Sequence, residues 1–351
     1  MGACIMTQLM TIDPISSAPP QALLSRYAES AMWLARYMER IENLARLIDV
    51  TETFVRSGAG NGWQAIIQIN ADEETFFSIH GEATAERVIG FYVTDRDNPN
   101  SIASLARYAR ENARALRPLI STEMWTQLNI FTQLIRDLKA EDIRPTVITA
   151  LCARIKQECQ THTGITEGTF YRDQSAAFYQ AGKHLERADQ ITRLIDIKYH
   201  TLLPSSVEVG SQVDIGQWTS VLRSAAGYHA YMRVMANDMR PSSIVGFLLK
   251  SEAFPRSLTT NLRHLHSNIS RLRTDYKLRA TGDILEELEF LRASLYDQSA
   301  EEIIVRGLHE FLDWVQCRLL DIQTSIAQAF WSVPSEESSD ASEAAQTQFQ
   351  N

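Results

Sequence analysis

Two Glu-Arg dipeptides are the residues of this 351-residue sequence that are best placed to do chemistry. Glu39-Arg40 and Glu186-Arg187 lie in segments with helical periodicity, ARYMERIENLARLIDV (35–50) and GKHLERADQITRLIDI (182–197). A glutamate can act as a general acid or base, and an arginine can hold a carboxylate or phosphate by two parallel hydrogen bonds. Because neighbours on a helix diverge by about 100°, each member of a dipeptide must reach a separate partner.

Three interpretations of these charges are open. They can form a solvated face, or they can pair reciprocally, Glu39 with Arg187 and Arg40 with Glu186, across two packed helices. They can also line a groove for an anionic or amide-bearing ligand. We favour the two structural interpretations, because charges on helices are more often solvated or structural than catalytic.

On a helical wheel each segment has a polar side opposite an apolar arc, which predicts an amphipathic helix. The polar positions are Arg36, Glu39, Arg40, Asn43 and Arg46 in the first segment and Lys183, Glu186, Arg187, Gln190 and Arg193 in the second. Glu42 with Arg46 and Asp189 with Arg193 place an acid four residues before a base. On an exposed helix such a pair contributes only about 0.2–0.5 kcal/mol.

A basic stripe at 107–117 and an acidic loop before it form a second group of candidates. The stripe is RYARENARALR. In the structural interpretation its arginines pair with acidic side chains of neighbouring helices, and in the functional interpretation they bind phosphate or an acidic partner. Arg107, Asn112 and Arg117 recur in a later block, which favours them as structural residues. The functional candidates are Arg110, Glu111 and Arg114 in the stripe and Asp95, Arg96 and Asp97 in the loop.

Other familiar motifs lack their context, so we expect no cofactor and no metal. The Gly-rich run 57–62 has no Lys-Ser/Thr ending of a phosphate loop and predicts a turn. Cys152, Cys159 and His162 lack a fourth ligand at a standard spacing, and we interpret the cysteines as core residues. His264 and His266 face different sides of a helix.

Composition excludes several classes of protein. The sequence has 34 basic and 43 acidic residues, a net charge of −9, which argues against a general nucleic-acid binder. No segment reaches the roughly 18 apolar residues of a membrane span. The four cysteines form no disulfide pattern. The first basic residue is Arg26, so the N-terminal segment lacks the basic region with which a secretory signal begins. We expect a cytoplasmic protein.

Helical periodicity between short Gly/Pro segments predicts an all-α fold. The predicted interruptions are 56–63, 94–101, 141–145, 161–168, 202–216, 237–243 and 252–257. Segment 35–50 aligns with 182–197 at an offset of 147, and 86–117 aligns with 242–273 at an offset of 156. These repeats predict a tandem-duplicated helical bundle with two pseudo-equivalent halves, 22–160 and 161–331, between disordered tails at 1–21 and 332–351.

Several long blocks together resemble the alpha-E family, a helical family named for its Glu-Arg motif. They are 23–50, 81–117, STEMW (121–125), 183–196 and 247–258. The second half carries Lys250-Ser251-Glu252-Ala253 where the family often has an Asp-Arg-Asp run such as Asp95–Asp97. The resemblance covers about 20–330.

The resemblance implies a bacterial cytoplasmic protein encoded beside, or fused to, circularly permuted ATP-grasp proteins and transglutaminase-like proteins. Its expected role is that of a helical accessory or binding protein in a peptide-synthesis or peptide-modification system, with an ATP-grasp ligase, a transglutaminase-like protein or a peptide substrate as partner. The alternative is a cofactor-free enzyme acting on peptides, in which Glu39 or Glu186 is the acid or base and Arg40 or Arg187 binds a carboxylate.

Overall fold

The computed structural model describes residues 23–57, 62–202, 212–236 and 238–331, and within these ranges all regular structure is helical. The predicted tails at 1–21 and 332–351 and most of the interruption at 202–216 lie outside the described residues. The helices are α1 (Ser25–Arg56), α2 (Trp63–Ile69), α3 (Glu73–Ile79), α4 (Ala85–Val93), α5 (Ile102–Ala115), α6 (Thr122–Arg136), α7 (Pro145–Thr169), α8 (Gln174–Leu202), α9 (Gln212–Ser224), α10 (Tyr228–Met235), α11 (Pro241–Lys250), α12 (Leu258–Thr274), α13 (Gly282–Tyr296) and α14 (Ala300–Phe330). The all-α prediction is confirmed.

Helices α1 and α8 form the centre of the assembly and pack against each other along their length. Helices α5 and α7 cover other faces of α1, and α12 and α14 cover other faces of α8. As a result α1 is buried on its predicted polar side as well as on its apolar arc. The two segments that carry the Glu-Arg dipeptides therefore meet in the interior.

Helix α7 corrects one predicted interruption. The sequence predicted a loop at 161–168, but α7 continues through it, so the boundary at 160/161 also falls inside a helix. Buried side chains repeat at helical spacing from Ile148 to Thr166 and pass Gly164 without a break. A helical glycine costs about 1 kcal/mol relative to alanine, and burial of a continuous apolar stripe outweighs that cost.

Two serine caps fix the loops that enter α5 and α12. Ser101 and Ser257 accept the backbone N–H groups of Ser104 and Thr260 at 3.1 Å, as N-cap residues do. Their hydroxyls also donate back to earlier carbonyl groups of the same loops. The predicted loops at 94–101 and 252–257 are confirmed, and the second one approaches the centre of the assembly.

Close packing of α1 on α8 requires a glycine at one position. A Cβ atom added to Gly182 would lie 2.3 Å from the carbonyl oxygen of Met32, a contact with backbone that no rotamer change can relieve. In α7, by contrast, a Cβ atom at Gly164 would meet nothing within 4 Å.

We predict that Gly182→Ala lowers the free energy of unfolding by about 1–3 kcal/mol, as overpacking of a core does. Gly164→Ala is the matched control and should leave that free energy unchanged or raise it by up to about 1 kcal/mol, because alanine favours helix. Urea denaturation measures both. Equal behaviour of the two variants would contradict the close approach at Met32.

Candidate functional site

The first Glu-Arg contact joins Glu39 of α1 to Arg187 of α8. Nε of Arg187 donates to Oε2 of Glu39 at 2.8 Å, and its Nη2 lies 2.7 Å from Oε1. This two-point arrangement matches the planar guanidinium to the planar carboxylate. The pair is largely withdrawn from solvent, since the Glu39 side chain is 5% exposed.

The second contact runs the opposite way, from α1 to Glu186 of α8. Arg36 donates from Nε to Oε2 at 2.7 Å, and Arg40 donates from Nε to Oε1 at 2.5 Å. Gln190 adds a hydrogen bond to Oε1 at 3.1 Å. The buried carboxylate of Glu186 therefore receives one donor on one oxygen and two donors on the other.

The predicted reciprocal pairing of Glu39 with Arg187 and Arg40 with Glu186 is confirmed by these distances. The alternative of a solvated face is wrong for the two glutamates, because a second central helix covers them. Each acid of one dipeptide meets the base of the other, so neither dipeptide is directed as a unit at a common cleft.

Arg256 belongs to the same network and was missed in the sequence. Its Nη1 lies 3.6 Å from Oε2 of Glu39, and its Nη2 lies 2.9 Å from Oε1 of Glu42. It comes from the loop before α12, and the repeat gave no signal for it because Asn100 occupies the aligned position. Arg256 ties that loop to α1.

Arg36 extends the network to the last helix and to an aromatic cluster. Its Nη1 donates to Oε1 of Gln323 in α14 at 2.5 Å, and its guanidinium carbon lies 4.5 Å from the ring centre of Trp33. Trp33 stacks on Tyr37, which in turn contacts Tyr108 of α5 at 5.5 Å between ring centres. These rings fill the space between α1 and α5.

Burial and charge act in opposite directions on the two glutamates. Burial alone would raise the pKa of Glu39, but the positive charges of Arg187 and Arg256 outweigh it and lower the pKa to about 2. For Glu186, burial is likewise outweighed by Arg40 and Arg36, which lower the pKa to about 2. Both side chains are therefore ionised at neutral pH.

The two predicted acid-before-base pairs are present. Arg193 donates from Nε to Asp189 at 2.9 Å, and Arg46 donates from Nη2 to Glu42 at 2.5 Å. The expectation that they lie on an exposed helix is wrong for Glu42 and Arg46, whose side chains are 7% and 14% exposed. Arg256 shares Glu42, so this pair is part of the buried network.

A small cavity borders the network beside Glu186. Its volume is about 250 Å³, and Arg40, Asn43, Gln190 and Arg193 contribute to its walls. Oε1 of Gln190 is buried without a hydrogen-bond partner. The cavity therefore places a guanidinium and amide side chains next to the buried carboxylate of Glu186.

The stripe candidates lie elsewhere, around a cavity of about 450 Å³ between α5 and α6. Arg96, Arg110 and Glu111 line it together with Arg107. Arg110 donates to Asn129 of α6 at 2.7 Å and contacts Glu111 at 3.5 Å. The structure therefore brings part of the predicted group together.

The remaining stripe and loop candidates stand outside that cavity. Arg114 pairs with Glu111 at 2.6 Å and is 68% exposed. Asp95 accepts the backbone N–H of Asp97 at 2.9 Å, a turn that shapes the loop. Asp97 itself is exposed.

The sequence interpretation of Cys152 and Cys159 as core residues is confirmed. Both are buried, and burial raises the pKa of Cys152 to about 12. His162 is buried beside Tyr179, with its Nε2 3.1 Å from the hydroxyl, and burial lowers its pKa to about 4. Within the part of the chain that the structure describes, no group of three acidic, cysteine or histidine side chains could hold a metal ion.

The fold and the site define an all-helical protein with a buried, reciprocal Glu-Arg network. The model of the alpha-E family, described as a predicted alpha-helical domain with a conserved ER motif, matches residues 23–331. Because this match covers most of the chain, the protein belongs to the alpha-E family, and the resemblance is confirmed. No curated protein and no solved structure matches the chain.

We predict that Glu39→Gln lowers the free energy of unfolding by about 3–5 kcal/mol, because it strands the buried charge of Arg187. The control is Glu286→Gln, which removes an exposed charge from α13 and should cost less than about 0.5 kcal/mol. Denaturant unfolding compares them. A loss for Glu39→Gln as small as that of the control would refute a structural role for the pair.

The pKa values of the two glutamates also predict acid sensitivity. Each folded pKa, about 2, lies below the ordinary value of 4.5, so the stabilisation is present above pH 4.5 and is lost as pH falls toward 2. Chemical denaturation at a series of pH values in this window should show stability falling with pH. The fall should be shallower in Glu39→Gln and unchanged in Glu286→Gln.

Proposed function

We propose that this protein is a helical accessory and binding protein of a bacterial, cytoplasmic ATP-grasp-linked system that synthesises or modifies peptides. Membership of the alpha-E family supports this role. The proposed partners are an ATP-grasp ligase, a transglutaminase-like protein and the peptide on which they act. In the part of the chain that the structure describes, no helix is long and apolar enough to cross a membrane.

The observation that carries the proposal is the reciprocal burial of the two Glu-Arg motifs. Their charged groups meet each other at 2.5–2.8 Å, and the two carboxylates have four guanidinium partners between them. Carboxylate and guanidinium groups that pair with each other hold the two helices in register, and they are poorly suited to exchange protons with a substrate. Binding then falls to the charged surfaces around the network.

We further propose that the two halves arose by duplication of one helical unit. Several aligned positions make equivalent contacts, which supports the proposal. Ser101 and Ser257 cap α5 and α12 in the same way. Trp63 and Trp218, which occupy corresponding places in the order of blocks, are both 2% exposed. The halves would then share one core through α1 and α8.

A second candidate function is the cofactor-free peptide enzyme, with Glu186 as acid or base and Arg40 holding a carboxylate. The cavity beside Glu186 favours it, because Arg40 and Asn43 in its walls could bind a carboxylate and a peptide amide. The low pKa of Glu186 opposes it, since a general acid near neutral pH must keep its proton.

Co-expression with an ATP-grasp ligase from the same organism tests the first function. We predict a complex that survives affinity purification at low salt. Arg110→Gln with Arg114→Gln should weaken it, because the exposed Arg114 and the partly exposed Arg110 suit an acidic partner surface. The control is Arg233→Gln with Arg279→Gln, which removes two exposed charges elsewhere. Absence of a complex with the unaltered chain would overturn the role.

Product formation by the reconstituted system separates the two functions. In the binding protein, Glu186→Gln should lower stability, and activity at a temperature where the variant stays folded should remain. In the enzyme, the variant should stay stable and lose activity, since functional sites often trade stability for activity. A stable but inactive Glu186→Gln would overturn the binding role in favour of the enzyme.

A further inference from the structure

A second cleft, separate from the cavity beside Glu186, lies between α8 and α12 and is bounded by the end of α7. Its volume is about 650 Å³, within the range of ligand-binding pockets. The wall from α8 includes Gln180, Lys183 and His184, and the wall from α12 includes Arg263, His264 and Arg271. At 100° per residue each set falls within an arc of about 100°, so each lies on one helix face.

The cleft is rich in positive charge although the chain has a net charge of −9. Its basic side chains are Arg172, Lys183, Arg187, Arg263 and Arg271, and its acids are Glu167 and Glu252. Arg187 is neutralised by Glu39 from behind. Arg271 is likewise paired, with its Nε 3.3 Å from Oδ2 of Asp275. The three remaining basic groups therefore face two acids, which leaves a net positive cleft.

The contacts with those two acids are long compared with the central network. Nζ of Lys183 lies 3.7 Å from Glu167, and Nη1 of Arg263 lies 3.8 Å from Glu252. Both separations exceed hydrogen-bonding distance. The Lys183 side chain is nonetheless only 11% exposed, so its charge is held in a partly buried place without a close carboxylate. An incoming anion could approach both groups more closely than the acids do.

Two stacked histidines line the cleft, one from each wall. The rings of His184 and His264 lie 4.7 Å apart, and Nδ1 of His184 is 2.9 Å from Oδ1 of Asn261. Burial lowers the pKa of His184 to about 3, although the hydrogen bond that His184 donates to Asn261 acts the other way. Burial also lowers the pKa of His264. Both rings are therefore uncharged at neutral pH and repel a ligand of neither sign.

Three positions of the first half that align with this cleft carry aromatic side chains. There Trp33, Tyr37 and Tyr108 occupy the positions of Gln180, His184 and His264, at the same offsets of 147 and 156. The aromatic side chains stack with ring centres 5.4 and 5.5 Å apart. Smaller polar side chains at these positions in the second half leave the space that the cleft occupies.

The spacing of the arginines indicates the form of the ligand. Arg263 and Arg271 are eight residues apart on α12, which places them about 12 Å apart along the helix axis. A peptide in the extended polyproline II conformation rises about 3.1 Å per residue with three residues per turn, so side chains three residues apart lie on one face, about 9 Å apart. Gln180 and Asn268 provide amide groups between the charges, which suit a peptide backbone.

We propose that this cleft binds an extended acidic peptide segment whose two carboxylates, three to four residues apart, meet Arg263 and Arg271. Lys183 supplies a further positive charge between the helices. The inference rests on the proposed binding role and names the chemical class of the peptide. Guanidinium groups favour carboxylates because both are planar and can form two parallel hydrogen bonds.

The test uses the purified full chain and a fluorescein-labelled, C-terminally amidated Glu-Ala-Ala-Glu peptide, with binding followed by anisotropy at low ionic strength. We expect Lys183→Gln with Arg263→Gln to weaken binding at least about tenfold, since bonds to charged groups are strong. The matched control is Arg273→Gln with Arg279→Gln, which removes two exposed charges that do not line the cleft and should change affinity less than about twofold.

A third variant, Glu252→Gln, removes a competing acid and should tighten binding. If the double variant melts early, Glu252→Gln still tests the cleft. The single variant Arg263→Gln does so as well, because the Arg263 side chain is 45% exposed. Lack of binding by the unaltered chain would overturn the inference, and so would equal losses in the cleft and control variants.

Two competitors decide the chemistry of the ligand. A Gln-Ala-Ala-Gln peptide should not displace the probe, and inorganic phosphate should displace it only at concentrations above those of unlabelled acidic peptide. Displacement by phosphate at lower concentrations would overturn the peptide assignment in favour of a phosphate site. The ligase is absent from this assay. A lack of peptide binding is therefore distinguishable from a failure to form a complex with the ligase.

Discussion

The burial of two carboxylates in one helix interface is the constraint on which the rest of the structure depends. A glutamate taken out of water is stable as an ion only when positive charge lies close to it. Glu39 and Glu186 meet that requirement with arginines from the facing helix, so α1 and α8 can pack in one register only. A shift of one residue along either helix would separate the pairs by about 1.5 Å along the axis and rotate them by about 100°.

The two glutamates meet this requirement with different partners. Glu186 takes both of its arginines, Arg36 and Arg40, from α1, whereas Glu39 takes one from α8 and a second, Arg256, from the loop before α12. The difference has a structural consequence. Arg256 makes the position of that loop part of the central network, and the same loop carries Glu252 at the edge of the cleft between α8 and α12.

The sequence predicted the all-α class from its helical periodicity. It predicted the reciprocal pairs because the same Glu-Arg dipeptide recurs at the same place in two helical segments. It did not predict Arg256, which comes from a loop and has no counterpart in the repeat. It was also wrong to end a helix near Gly164. Local propensity governs such a prediction, whereas burial from Ile148 to Thr166 governs the fold. The duplication and the functional role of the candidate residues stay predictions.

The same physics separates the closed centre from the open surfaces. In the centre each acid has a base within 2.9 Å, so a ligand would have to break a pair before it could bind. In the cleft between α8 and α12, Lys183 and Arg263 lie 3.7 and 3.8 Å from their nearest carboxylates, and an anion can approach without breaking a short pair. Arg187 borders that cleft while its charge is held by Glu39. The motif that names the family therefore holds in place the helix face on which the ligand would lie, and recognition is left to side chains that the motif does not include.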